Sequence, residues 1–238
     1  GKALQMGTSH FLGQNFSKPF DVKYLGENNV ETFAWQTSWG VSWRLIGGMV
    51  MTHGDDKGLV LPPKIAPIQV VIIPIYYSDD EKGDVIQMAN QIKRSLSESN
   101  LRVHLDDREQ LTPGFKFNDW DMKGIPLRIE IGPKDIAKHQ AVLVRRHNQT
   151  KTSFQTTEHL GTSLYGGENG LISLELKNIQ KEMFDAAKKI LEERIVRVSE
   201  YKQFKEELEN GKMIDCSWCG NQTCEDKIKE ETGADLRV

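Results

Sequence analysis

PIQVVIIPIYYSDDEKGDVIQMANQIKRSLSESNLRVHL, residues 67–105, is the stretch from which the fold is read. PIQVVIIPI (67–75) is a continuous apolar, β-branched run, the pattern of a buried strand. Ser78 followed by Glu81 is a capping-box signature, and Val85, Met88, Ala89, Ile92 and Leu96 then recur at helical spacing. LRVHL (101–105) reads as a second strand.

The pattern continues downstream. Thr112 with Pro113 makes an N-cap and first-turn pair, and Phe115 to Met122 continue as a short helix ended by Gly124. LRIEI (127–131) alternates strictly, so Leu127, Ile129 and Ile131 face one way while Arg128 and Glu130 share the other side. QAVLV (140–144) is another buried strand. Strand–helix–strand–helix–strand order at these spacings argues a mixed α/β sheet with helices on its faces. If the apolar set of 127–131 is buried, Arg128 is presented on a polar side near the GPKD turn at 132–135.

Upstream, residues 1–66 alternate short apolar runs with Gly, Asn and Ser turns. FDVKYL (20–25) reads as a strand, and Thr32 to Ser38 as another antiparallel to it. LQMGTSH carries Gln5, Thr8 and His10 beside a small-residue turn. WQTSWGVSWRLIGGMVMTHGDDKGLVLPPKIAP (35–67) has three parts: a Ser/Thr/Trp segment to Ser42, an apolar run Leu45–Met51 opened by Arg44, and the polar turn 53–58 leading to Pro62, Pro63 and Pro67. The prolines read as a stiff exit. Arg44 places a permanently charged fork at the start of an expected buried helix, where free N–H groups and the dipole suit phosphate. On its own, that residue reads first as the opening residue of a core helix paired with some carboxylate.

Lys151 to Glu168 is polar and Gly-rich, a hairpin end plus linker. Leu174 to Val198 is expected as one long amphipathic helix with Leu176, Ile179, Met183, Ala187, Ile190 and Ile195 as its stripe. Tyr201, Phe204 and Leu208 continue the pattern to Gly211, a C-cap. The three cysteines, Cys216, Cys219 and Cys224, fall in DCSWCGNQTCEDK. Clustering argues metal before disulfide, yet zinc takes four ligands and no histidine follows His159.

The 238 residues suffice for one large domain or two to three small ones, and 38% hydrophobic with 27% charged residues is a soluble globular composition. A formal net charge of −3 announces no global basic field, so any RNA contact rests on a local patch. There is no run of 18 apolar residues and no signal-peptide pattern, so the cytoplasm is the expected location and no membrane is involved.

The 35–67 stretch resembles motif 3 and the domain exit of class II aminoacyl-tRNA synthetases. GKALQMGTSHFLGQNFSKPFDV (1–22) and TPGFKFNDWDMKGIPLRIEIGPKD (112–135) resemble the same family in the expected order, and more narrowly the archaeal and eukaryotic kind of prolyl-tRNA synthetase. The implied fold class is α/β (α+β). It comprises the end of a class II antiparallel-sheet catalytic domain (1–66), a mixed-sheet α/β anticodon-binding domain (67–165) and a small α+β C-terminal domain of zinc type (166–238). The implied reaction joins L-proline to tRNA(Pro) through a prolyl-adenylate, using ATP and Mg²⁺. It needs no general base, because positioning and charge neutralisation do the work. By resemblance, Gln5 and Thr8 contact the adenosine, His10, Trp39 and Gly40 line the proline pocket, and Arg44 holds the ATP phosphates. Asp121, Arg128, Lys134 and Asp135 read the anticodon, whose two guanines offer acceptors to Arg and Lys and an amino edge to carboxylates.

Two positions depart from the family pattern. The family usually carries two small hydroxyl residues where Ser42 and Trp43 stand, and Glu where Asp121 stands. Cys219 and Cys224 match the first half of a structural Zn²⁺ site whose second pair would lie beyond Val238, with Cys216 extra or a substitute. The resemblance also implies a homodimer formed through the catalytic domain and places motifs 1 and 2, with the motif 2 arginine, upstream of Gly1, so this portion is expected to be inactive alone. Two other readings stand beside it: a sister synthetase with the same anticodon domain (threonyl, histidyl or glycyl), or a non-catalytic RNA-binding module.

Overall fold

A computed structural model of the chain describes residues 4–156, 167 and 170–236. They fall into two compact units, Leu4–Met183 and Phe184 onward.

The first unit opens with β1 (Gly7–Gly13), β2 (Lys23–Leu25), β3 (Glu31–Phe33), β4 (Gln36–Val41) and α1 (Arg44–His53). β2 pairs antiparallel with β3 as expected, but the strand read over 20–25 is only its last three residues. The segment read as one strand over 32–38 is two: β3 stays with β2, while β4 pairs antiparallel with β1. The TSH stretch, read only as lying beside a turn, is therefore a strand. Its polar residues hide the alternation from sequence, and the partner that makes it a strand lies some thirty residues away, Thr8 facing Gly40. α1 is a helix from Arg44, but it is not the buried helix expected: none of its residues is buried, and Leu45, Ile46 and Met51 are exposed. Its apolar run is real; among the described residues little covers it beyond Met6, whose Sδ lies 2.6 Å from where a Cβ on Gly48 would stand.

The remainder of this unit is a five-stranded mixed sheet. It contains β5 (Val70–Pro74), β6 (Val103–Leu105), β7 (Leu127–Ile131), β8 (Gln140–Arg145) and β9 (Lys151–Gln155), in the order β6-β5-β7-β8-β9. The first three are mutually parallel, and β8 and β9 run antiparallel. Between them run α2 (Asp79–Glu98), α3 (Pro113–Met122) and the short α4 (Pro133–Ile136). Pro74 closes β5 where β6 has already ended, and Ile75 N–H, not Pro74, donates to Ile131 O of β7, so the missing proton is not needed.

Helix ends follow the expected signals with one substitution. Thr112 Oγ1 accepts from Phe115 N at 3.3 Å and caps α3. At α2 the Ser78 hydroxyl makes no cap bond; Glu81 Oε2 instead accepts from Tyr77 N at 3.0 Å. Gly124 ends the α3 turn at φ +74°, and a Cβ there would sit 2.6 Å from the Leu59 carbonyl.

The sheet separates two cores. Val70, Ile72, Leu127, Ile129 and Ile131 pack with Val85, Ala89, Ile92 and Leu96 of α2 and with α5 (Leu171–Glu192), through Ile172, Leu176, Ile179 and Met183. On the opposite side Val71 and Ile73 pack with Trp120 and Ile125. That side is pinned by Asp106, which accepts from Arg108 Nε at 2.8 Å, Arg108 Nη2 at 2.7 Å and Trp120 Nε1 at 2.7 Å.

In the second unit α5 ends at Glu192, correcting the single helix read to Val198. Ile195, Val196 and Arg197 form β10, parallel to β11 (Met213–Asp215), with α6 (Tyr201–Glu209) crossing between them. The β-branched pair Ile195–Val196 finds a strand partner too distant in sequence for periodicity to reveal. Only Leu176, Ile179 and Met183 of the expected stripe are buried; Ile190 is exposed. Gly211 sits at φ +73° just past α6, as its reading required. α7 (Gln222–Thr232) completes the unit. Of the stretch read as hairpin end plus linker (151–168), β9 is observed, while 157–166 and 168 lie outside the described residues.

Asp106 supplies an acid-stability test. Burial pushes its carboxyl up, but hydrogen bonds from Arg108 and Trp120 outweigh that and hold it at about 2, against an ordinary 3.8. Its contribution is therefore complete above pH ~4 and lost as pH falls towards 2, roughly 2 kcal/mol in all. Asp106→Asn is expected to lower stability by about 3 kcal/mol at neutral pH and to remove that portion of the acid dependence, read from urea midpoints between pH 2 and 7.

Candidate functional site

The β1–β4 ribbon gathers most residues singled out in the first sixty. Its register sets Thr8 opposite Gly40, Ser9 opposite Trp39 and His10 opposite Ser38. Directly opposed residues of an antiparallel pair project to the same face, so Thr8, His10, Ser38 and Gly40 share one face. Trp39 stands with Ser9 on the other, 78% exposed. The three residues expected to line one pocket are thus divided: His10 and Gly40 together, Trp39 apart.

The ends of the ribbon are tied to α1. Ser42 N–H and Oγ donate to Met6 O at 2.8 and 3.1 Å. Arg44 Nη1 donates to Gln5 O at 3.0 Å, which fixes the guanidinium beside the start of β1. Arg44 is the first residue of α1 and no acidic residue stands in that first turn, so fork and helix N-terminus present one positive end. Trp43 is 87% exposed and crowds nothing there. A Cβ on Gly40 would meet nothing within 4 Å, so the strand itself does not require glycine.

The second group lies on the α3 side of the sheet. Arg128 and Glu130 do share a face, but not a solvated one, which corrects the expectation of a presented arginine: they are 6% and 8% exposed. β7 lies between β5 and β8, and α3 lies over the same side, so a charge there must be paired. Arg128 Nε donates to Glu130 Oε1 at 2.9 Å and Nη1 to Asp121 Oδ1 at 2.7 Å, and the guanidinium carbon lies 4.5 Å from the Phe117 ring centroid. Asp121 reaches Arg128 despite lacking the extra methylene of glutamate. Asp135 is turned inward, its Oδ2 accepting from Gly132 N at 3.0 Å, whereas Lys134 is exposed. The structure joins Asp121 to Arg128 directly, and Lys134 to Asp135 as neighbours in α4.

Sequence reasoning missed Arg146, whose guanidinium donates from Nη1 and Nη2 to Asp55 at 2.7 and 2.6 Å and from Nε to Asp121 O at 2.7 Å. The only signal available was the doubled arginine at 145–146 ending an apolar strand. A cleft of about 760 Å³ lies along α2 and α4, lined by Gln87, Arg94, Ser95, His139 and Thr156 among others, and contains none of the expected residues.

Cys219 and Cys224 are in hydrogen-bond contact, which pushes the Cys224 thiol up. Among the described residues no group of three or more His, Cys, Asp or Glu could hold a metal ion. Two adjacent thiols are half of a tetrahedral zinc set, so the residues present do not fit a complete site.

Residues 69–161 match the family model described as anticodon binding domain, and residues 201–238 the one described as prolyl-tRNA synthetase, C-terminal. Over all 238 residues the chain is 53% identical to the proline–tRNA ligase of Cenarchaeum symbiosum, covering 48% of that protein. The chain belongs to the prolyl-tRNA synthetase family. It is 45% identical to the chloroplastic/mitochondrial proline–tRNA ligase of Arabidopsis thaliana, with 99% of the chain and 43% of the relative covered. The crystal structure of prolyl-tRNA synthetase from Cryptosporidium parvum complexed with L-proline and AMP superposes with a TM-score of 0.85 at 40% identity, over 97% of this chain and 47% of that one. The chain spans about half the length of the prolyl-tRNA synthetases it matches and corresponds to their C-terminal region. No helix of the described residues is long and apolar enough to cross a membrane.

Gly40→Ala separates fold from site. With open space at the Cβ, the thermal midpoint by circular dichroism is expected to move by less than about 0.5 kcal/mol equivalent. Gly124→Ala, forced against the Leu59 backbone at positive φ, is expected to cost more than about 1 kcal/mol.

Proposed function

We propose that the whole protein is a proline–tRNA ligase: it activates L-proline with ATP and transfers it to tRNA(Pro). The observation that carries the reading is the β1–β4 ribbon, which has Thr8, His10 and Gly40 on one face and is tied at Gln5 to Arg44 of α1, in a chain whose solved relative is described with L-proline and AMP. In the first step the proline carboxylate attacks the α-phosphorus of ATP, the bond to the β-phosphate oxygen breaks and pyrophosphate leaves. In the second, a terminal ribose hydroxyl of tRNA attacks the mixed-anhydride carbonyl, loses its proton and releases AMP.

Arg44, with the α1 N-terminus behind it, neutralises phosphate charge; it is held to Gln5 O by one donor while the rest of the fork faces outward. Gln5 and Thr8 lie where the adenosine would rest. His10 and the open face over Gly40 receive the proline ring, which explains a glycine the strand does not need. Trp39, exposed on the opposite face of the same strand, has no part in this face of the pocket. Mg²⁺ would arrive with ATP, held mainly by its phosphates, and would share with Arg44 the neutralisation of their charge.

The same reading divides the chain into 1–66, 67–165 and 166–238. The exposed apolar surface of Trp43, Leu45, Ile46 and Met51 is covered, in this reading, by the rest of the catalytic domain. On the sheet, Asp121 and Arg128 form a clamped pair whose Nη2 edge meets a guanine of the anticodon, with Lys134 exposed beside it for phosphate or base and Asp135 shaping the α4 turn. Cys219 and Cys224 serve as one half of a structural zinc site if the other half is present. A homodimeric, cytoplasmic enzyme is the context the resemblance supplies.

The test is amino-acid-dependent exchange of pyrophosphate into ATP by the full-length protein across the twenty amino acids. Exchange with proline alone is expected, and Arg44→Ala should reduce it by at least about a hundredfold. Exchange with none of the twenty by folded protein would overturn the reading.

A further inference from the structure

The turn after α1 is wired to the sheet through one side chain. Asp55 N–H and Gly58 N–H bond each other's carbonyls at 3.1 and 3.0 Å, closing the turn two residues past α1. The Asp55 carboxylate is held bidentate by Arg146, and Arg146 also donates to the Asp121 carbonyl; all three nitrogens of the guanidinium are occupied and the residue is 2% exposed. Asp121 in turn holds Arg128 through its carboxylate. Backbone contacts run in parallel: Leu59 N donates to Met122 O at 3.0 Å and Leu61 N to Gly124 O at 3.1 Å. A Cβ on Gly58, at φ +130°, would strike Met122 O at 2.6 Å. The exit from α1 and the end of α3 are therefore pressed together, with Arg146 as the polar fastening.

We propose that Arg146, through Asp55, is a positioning residue that couples the Asp121–Arg128 pair to α1, so that tRNA-dependent transfer, unlike amino-acid activation, depends on it. This rests on the reading of Asp121 and Arg128 as anticodon contacts and of Arg44 as a phosphate contact. The physical basis is that one rigid planar fork has only three edges. A base that pulls on Arg128 moves Asp121, and Asp121 cannot move without shifting the fork that holds the turn behind α1. The Arg146 bonds hold the Asp55 carboxyl down to about 2, so the fastening is fully charged at neutral pH.

The test uses the full-length protein with Asp55→Asn, a half-exposed position where the side chain keeps its shape and loses its charge, and Arg146→Lys, which keeps charge but loses the fork. Three quantities are read: proline-dependent pyrophosphate exchange, aminoacylation of tRNA(Pro), and aminoacylation of a tRNA(Pro) with one anticodon guanine replaced. Both variants are expected to keep exchange within about twofold of the parent. Aminoacylation kcat/KM should fall at least tenfold, and the parent's discrimination against the altered anticodon should shrink by a similar factor. Equal loss of exchange and aminoacylation would mean that Arg146 serves stability alone, and unchanged aminoacylation and discrimination would mean no coupling; either overturns the inference. A parent that shows no proline exchange, or no discrimination between the two tRNAs, would instead overturn the reading beneath it.

Discussion

A guanidinium in the middle of a covered sheet has to be paired, and the α3 side of this protein follows from that requirement. Arg128 sits on β7, flanked by β5 and β8 and lying against Phe117. Its partners are Glu130 on the same strand and Asp121 on the last turn of α3. The pair of carboxylates makes burial tolerable, and it also orients the fork, because two of its nitrogens are held. An arginine held this way has little conformational freedom left to lose.

The same logic recurs beside it. Asp106 is closed in by Arg108, Trp120 and Lys116, and Arg108 reaches on to Asp119, which also binds Lys123. Arg146 adds a further fork, buried like that of Arg128. Each of these bridges α3 to a neighbouring loop or turn, so the helix that carries Asp121 is held by charge-assisted bonds along its polar side and by Trp120 along its apolar side. The α2 side is mainly an apolar layer, with charge pairing at the end of β8, where Arg145 donates to Glu175 and Glu182 of α5.

The ribbon of β1 and β4 works by a different constraint. Most of its side chains are exposed, and Phe11 stacks on Trp35 at 5.7 Å as its one ring pair among the described residues. What it determines is register. A shift by one residue would take Thr8, His10 and Gly40 to the face where Trp39 stands, so the Ser42 and Arg44 bonds back to Met6 and Gln5 matter more for pairing than for burial.

Much of this was readable from sequence. The β-branched run at 67–75, the Thr112–Pro113 start, the alternation at 127–131 and Gly211 each state a local preference that the structure honours. What failed to show was whatever depended on a distant partner: β1 needed β4, Ile195 needed Met213, and Arg146 needed Asp55, ninety-one residues away. The sequence alone determined which residues form strands and helices within the sheet domain and that Arg128 and Glu130 share a face, because backbone period and side-chain branching are local properties. Only tertiary structure decided that this face is covered, that Trp39 parts from His10, and that the turn after α1 is fastened to the end of α3, because burial, register and ion pairing are set by what lies opposite.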